Sequence, residues 1–386
     1  MEFELTREQK MIQKNVREFM RKEILPVAEQ IDKEDKFPAN VWQQMGELGF
    51  LGLNMSEAYG GFAYDILTFT LMMEEMAKVC PGLALSVAAH SNLCMHNLER
   101  NGNETQKQKY LPGLGDGKLI GCLGLTEPNA GSDAVGISTE AIRDGDNYIL
   151  NGSKMFITNA PEADLALVYT KTDMERGSRG ITAFLVEKGT PGFSVAGKID
   201  KMGNRGSSTG ELVFSDCRVP LDNVVGEVNQ GIRVMMNGLD VERVVVAGIS
   251  LGIHVAALEV ALDYSKKRHQ FGQPISSFQL IKAKLANMYT ELEAARGLVY
   301  RAAALSEKSE RGGKGTELHK LAAAGILFSA EAASRAVNEA VQIHGGYGYT
   351  HEYAVNRLFR DAKLYEIGAG TSEVRRLLIA DELLKR

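Results

Sequence analysis

Cysteines are few and scattered: Cys80, Cys94, Cys122 and Cys217 form no CxxC pair and no framework spacing. Such usage excludes a disulfide-stapled scaffold and a cysteine-ligated centre, and no metal site is expected. Positive charge is not in excess either, with 44 Lys and Arg against 49 Asp and Glu and a formal net charge of −5. A nucleic-acid surface would need the opposite balance. No apolar run approaches the roughly 20 residues that cross a bilayer. The start, "MEFELTREQK", lacks a hydrophobic signal core and an Arg/Ser-rich transit pattern. The expectation is a cytoplasmic protein that uses neither membrane nor nucleic acid, with a processed mitochondrial form as the alternative.

What is present is an ordinary globular composition, 44% hydrophobic and 24% charged, over 386 residues. That length exceeds one typical core, so two or three domains are expected. Residues 1–120 read as helical. Thr6 with Gln9 is a capping-box pattern, and Met11, Ile12, Val16, Phe19 and Met20 recur at helical spacing. "DILTFTLMMEEMAKV" is a second helical candidate. Residues 121–230 change period: Asn151-Gly152 in "NYILNGSKMFIT" is a hairpin signal, and "DLALVYTKT", "GITAFLVEKG" and "GELVFSDCRV" have strand length. Residues 231–386 return to helix, with one long apolar segment and an Ala-rich one that ends on a Gly pair.

Several stretches suit chemistry as well as plain structure. "GLTEPNAGSD" (124–133) gathers Gly, Thr, Asn and Ser, which suits a loop around a polar ring or phosphate and equally a surface turn. In "KMFITN" (154–159), period-2 geometry places Phe156 and Thr158 on one face, for a flat ring to rest on or as a core Phe beside an edge Thr. In "KKRHQFGQPISSFQ", Arg268 suits a phosphate oxygen or the dipole of a helix C-terminus. "QIHGGYGYTHEY" suits a nucleotide or a tight turn.

Taken together and in order, "LTEPNAGSD", "FITN", "RHQFG", "QIHGGYGY" and "RDAKLYEIGAGTSE" resemble the acyl-CoA dehydrogenase family over essentially the whole chain. The resemblance implies an α+β fold with an N-terminal all-α domain, a middle antiparallel β-barrel or sandwich, and a C-terminal four-helix bundle. It also implies FAD, an acyl-CoA substrate, electron-transfer flavoprotein as electron acceptor, and a homotetramer built as a dimer of dimers. By similarity, Leu123, Leu125, Thr126, Gly131 and Ser132 contact the flavin. Phe156, Ile157 and Thr158 lie at the isoalloxazine, with Thr158 facing N5. Arg268, Phe271, Gln279, Gln342, Gly345 and Gly346 reach the FAD of a neighbouring subunit, and Thr371, Ser372 and Glu373 meet pyrophosphate and adenosine. Ser132, Ser178, Arg179, Asp240 and Arg243 fall near the acyl-CoA, with Gly368, Ala369 and Gly370 beside its reacting carbons.

The family reaction is an α,β-dehydrogenation in which a carboxylate takes the α-proton and flavin N5 the β-hydride. Most members carry Glu where this chain has Ala369, and Tyr where it has Gly368, so the base must stand elsewhere. Glu242 in "NGLDVERVVVAGI" is the candidate. Its neighbours at −4, −3, +3 and +4 are Gly238, Leu239, Val245 and Val246, none able to pair with it, whereas Asp240 and Arg243 can pair with each other. A carboxylate so placed is desolvated toward a useful basicity, unless solvent and the dipole satisfy it at a helix start. "LDVER", "HSNLC" and "RNGNETQKQKYLP" resemble the isovaleryl-CoA dehydrogenase branch, whose base comes from this helix. The small Gly368 and Ala369 then leave space for a methyl branch at C3. Alternatives are a short straight-chain, 2-methyl-branched or cyclic acyl-CoA, an oxidase using O₂ and, more remotely, a DNA-associated alkylation-response flavoprotein.

Overall fold

The computed structural model describes residues 4–307 and 313–384. The N-terminal helices are α1 (Arg7–Phe19), α2 (Ala28–Glu34), α3 (Ala39–Glu47), α4 (Ile66–Ala77), α5 (Pro81–Val87), α6 (Asn97–Asn101) and α7 (Glu104–Gly115). Thr6 closes the expected capping box with Gln9, and Ile12, Val16 and Met20 enter the core while Met11 points to solvent. In α4 every residue but Leu67 is buried, because α1 and the long C-terminal helix flank it. Its acids survive burial only through partners: Glu74 accepts from Arg296 and Tyr300, and Glu75 from Arg17 and Lys78. The stretch Ala88–His96, which contains "HSNLC", winds as a π-helix.

Eight strands form one sheet: β1 (Gly121–Gly124), β2 (Glu140–Asp144), β3 (Asn147–Thr158), β4 (Leu165–Lys171), β5 (Ile181–Glu187), β6 (Phe193–Lys198), β7 (Thr209–Pro220) and β8 (Val224–Val225). Their order is β6-β7-β3-β2-β4-β5-β8, with β1 beside β4. Most pairings are antiparallel, but β1 and β2 each meet β4 in parallel, so the sheet is mixed. The Asn151-Gly152 hairpin does not form. The β2–β3 turn falls at Gly145 and Asp146, and Asn151-Gly152 lies inside the unbroken β3. There Gly152 takes φ +139° at a register shift against β7, so its left-handed preference serves a bulge.

The C-terminal part holds α8 (Gly231–Lys267), α9 (Gln279–Ser306), α10 (Glu317–His344), α11 (Ala354–Ala362) and α12 (Ser372–Leu384). By length and composition α8 could cross a membrane, contrary to the reading of the sequence, yet 89% of its most apolar window is buried in the protein. It threads between α4, α9 and α10 because it is apolar on all sides. Gly252 allows the α4 approach: a Cβ there would stand 2.3 Å from the Glu74 carbonyl oxygen.

Candidate active site

The candidate site lies where the N-terminal third of α8, well inside the helix that starts at Gly231, comes near the turn before α12. Glu242 is half-buried, and among the described residues it accepts no hydrogen bond and forms no ion pair. Burial raises its carboxyl to about 7, against the opposing charges of Arg243 and Arg375. Its neighbours behave as their spacing predicts. Arg243 Nη1 donates to Asp240 Oδ1 at 2.8 Å, leaving Glu242 unpaired. Asp240 is fully enclosed, with His319 Nδ1 2.7 Å from Oδ1 and the Gly313 N–H donating to Oδ2 at 2.6 Å. Despite the cost of burial, His319 and Arg243 hold its carboxyl below the usual range. An acid so enclosed and bonded holds Arg243 in place.

Arg375 was not singled out in the sequence, where it looks like its neighbour Arg376. Only its helical phase separates them: Arg375 shares the buried stripe of α12 with Ser372, whereas Arg376 pairs with Glu331 at the surface. Arg375 donates to the carbonyls of Tyr365 at 2.8 Å and Gly368 at 2.5 Å. One guanidinium thus feels the Glu242 charge and clamps the turn that carries Gly368, Ala369 and Gly370. Ala369 and Gly370 take φ +57° and +88°. Among the described residues the N–H groups of Ala369, Gly370 and Thr371 donate to nothing, so consecutive amides are free beside the start of α12.

The flavin-facing candidates cluster at the sheet. Thr126 follows β1 and is half-buried; its carbonyl accepts from the Met155 N–H at 2.8 Å. Leu123 and Leu125 are half-buried against the core between sheet and α7, while Gly131 and Ser132 are exposed. Phe156 is 64% exposed at φ +61°, where β3 breaks register with β7 between Lys154 and Ile157. Thr158 shares its outer side, and Ile157 turns into the sheet core. An exposed aromatic on a bulge and an open loop make a fitting bed for a flat ring. At α12 the Ser372 hydroxyl is buried without a partner among the described residues, Thr371 caps Val374 through its side chain, and Glu373 is exposed. An orphaned hydroxyl beside free amides fits a pyrophosphate oxygen. Ser178 and Arg179 stand exposed on the turn before β5.

Another group stands apart. Arg268, His344, Gly345, Gly346 and Tyr347 line a groove of about 460 Å³, with Arg268 over the Tyr347 ring. Gln279 and Gln342 are exposed, and Phe271 is 92% exposed. Along α8 this end lies roughly 39 Å from Glu242, at 1.5 Å per residue. Arg268 and its neighbours therefore form a group separate from the surroundings of Glu242.

Comparison with known proteins supports one assignment. Family models described as acyl-CoA dehydrogenase N-terminal, middle and C-terminal domain match residues 6–118, 122–217 and 229–384. A mitochondrial isovaleryl-CoA dehydrogenase of Pongo abelii is 47% identical over 379 residues, spanning 97% of this chain and 88% of the relative. The solved butyryl-CoA dehydrogenase of Megasphaera elsdenii superposes with a TM-score of 0.96 at 42% identity, covering all of both chains. A chain in the solved structure of the electron transferring flavoprotein of Acidaminococcus fermentans reaches a TM-score of 0.97 at 43% identity, again over both chains entirely.

Proposed function

The chain belongs to the acyl-CoA dehydrogenase family, and on that premise we propose that it oxidises isovaleryl-CoA to 3-methylcrotonyl-CoA with Glu242 as the base. The family is FAD-dependent, and the cofactor supplies acceptance of the hydride from Cβ. Leu123, Leu125, Thr126, Gly131, Ser132, Phe156, Ile157 and Thr158 are assigned to the flavin ring and its surroundings. Ile157 can contribute only through its backbone, since its side chain faces inward. Thr371, Ser372 and Glu373 are assigned to the pyrophosphate and adenosine.

The observation that carries the reading is an unpaired, desolvated carboxyl on α8 that feels the charge of Arg375, the residue that holds the Gly368 carbonyl. Glu242 takes the α-proton in its ionised form. The Ala369 N–H, free of any acceptor among the described residues, donates to the thioester oxygen as negative charge grows there. Such a donor lowers the barrier by about 2.7–4 kcal/mol, and it does so whatever the side chain. Arg375 fixes that amide by holding the carbonyl of Gly368. Arg243, held by Asp240, and the exposed Ser132, Ser178 and Arg179 are assigned to the CoA portion. Gly368, Ala369 and Gly370 leave the volume that a methyl branch at C3 fills, and filling it recovers dispersion contacts.

Arg268, Phe271, Gln279, Gln342, Gly345 and Gly346 are assigned to the FAD of a neighbouring copy in a homotetramer, because they lie too far from their own Glu242. Electron-transfer flavoprotein is the proposed acceptor, supported by the likeness to the Acidaminococcus structure. Likeness to the butyryl-CoA dehydrogenase favours a second reading, a short straight-chain substrate. Initial rates of anaerobic flavin bleaching with isovaleryl-, butyryl- and isobutyryl-CoA decide between them. The branched C3 substrate is expected to be fastest, and a faster butyryl-CoA would replace the first reading with the second.

A further inference from the structure

Between β1 and β3 the fold buries an ion pair that the reaction does not call for. Lys154 Nζ lies 2.6 Å from Glu127 Oε1 and 3.3 Å from the Leu125 carbonyl, and both side chains are almost wholly enclosed. Glu127 is saturated: Oε1 also accepts from the Thr139 N–H at 3.0 Å, and Oε2 from the Ser138 N–H and hydroxyl at 2.6 and 2.8 Å. Stability alone is a poor reason for such a pair, since apolar residues of similar volume often serve as well or better.

Position gives a better reason. Lys154 is two residues before Phe156 and Glu127 is next to Thr126. The β3–β7 ladder breaks between Lys154 and Ile157, so β7 does not hold the backbone where Phe156 projects. The links that replace the ladder run to the loop after β1: the Met155 N–H to the Thr126 carbonyl, and the Lys154 ammonium to Glu127 and Leu125. Gly124 makes room for them, since a Cβ there would stand 3.3 Å from Lys154 Cγ.

We propose that Glu127 and Lys154 are positioning residues that set the distance and tilt between Thr126 and the Phe156–Thr158 segment, and so the seat of the flavin ring. The proposal rests on the reading of this chain as an FAD enzyme. Burial pulls the Lys154 ammonium down while Glu127 opposes it, and the Lys154 charge holds Glu127 low, so the pair is ionised at neutral pH.

The test replaces both charges at once with Lys154→Met and Glu127→Gln, where Gln keeps an oxygen for the Ser138 and Thr139 amides. FAD dissociation constant, visible circular dichroism of bound flavin and its reduction potential are measured beside the melting temperature of the apoprotein. The apoprotein is expected to fold and melt near wild type, with FAD bound about tenfold more weakly or worse and the dichroism and potential shifted. An unchanged FAD affinity, dichroism and potential would overturn the proposal. Should the double variant not fold, Lys154→Arg keeps the charge with a different reach. A shift in dichroism and potential there supports the proposal, and wild-type values refute it. Wild-type protein that takes up no FAD would instead remove the flavoenzyme reading, and this inference with it.

Discussion

At the scale of one residue, Glu242 joins mechanism and stability through one physical term, the cost of ionising a desolvated carboxyl. Burial raises its carboxyl to about 7, so the base proposed here is lost as pH falls through neutrality. The pH profile of kcat/KM should therefore rise with an apparent pKa near 7. Glu242→Gln should lower flavin reduction by about 10²–10⁴-fold while FAD and acyl-CoA still bind; near-normal reduction would refute the assignment. The same shift acts on folding. The unfolded carboxyl ionises near 4.5 and the folded one near 7, so wild type loses stability as pH rises between those values. The Gln variant has no such loss. Its melting temperature should exceed that of wild type at pH 8, with the gap closing toward pH 4.5, and a gap independent of pH would contradict the burial. That Glu242 is unpaired was legible from its helical neighbours; that Arg375 stands over the same space was not, because Arg375 and Arg376 differ only in which side of α12 meets the core.

At the scale of an element, β3 shows why local rules mislead. Asn-Gly between apolar runs signals a hairpin because glycine supplies a positive φ, and Gly152 does adopt one, at +139°. The chain nonetheless continues straight on, because β7 pairs along β3 on both sides of the bulge. A Cβ at Gly152 would meet Thr139 at 2.7–2.9 Å in a strained backbone. Gly152→Ala should cost about 1–3 kcal/mol, read as a lower midpoint in urea, and an unchanged midpoint would mean that the bulge tolerates a side chain. That Phe156 and Thr158 share a side was legible by alternation, since both lie opposite the inward Ile157, although the bulge after Lys154 reverses the phase in which Tyr148, Leu150 and Lys154 face inward. The outward kink at Phe156 was not, because it depends on the distant loop that captures Met155.

At the scale of the whole molecule, the loop between β6 and β7 ties the three parts together. Arg360 holds Asp32 through two bonds of 2.6 and 3.0 Å and also the Met202 carbonyl, and Lys198 pairs with Asp35. The Tyr365 hydroxyl donates to Asn204 Oδ1 at 2.7 Å, while the Asn204 N–H and amide donate to Asp361. Tyr365 also gives its carbonyl to Arg375, so the candidate site's turn is tied to the β6–β7 loop through the Tyr365 side chain. Tyr365→Phe strands a buried amide oxygen and should cost about 1–3 kcal/mol. Because the turn is tethered, KM should also rise, and a loss of stability with unchanged kinetics would show that Arg375 alone fixes the turn.

The division between what residue order decided and what only packing decided follows the range of the forces involved. Helical, then β, then helical organisation, the Thr6 cap, the Asp240–Arg243 pair and the isolation of Glu242 depend on neighbours within four positions or on composition, so they could be read directly. The mixed pairing of β1 and β2 with β4, the burial of Arg375, the enclosure of Asp240 by His319 and the Lys154–Glu127 bridge join residues far apart in the chain. A buried charge is tolerable only where the fold brings its partner, and no local pattern records which distant residue that partner will be.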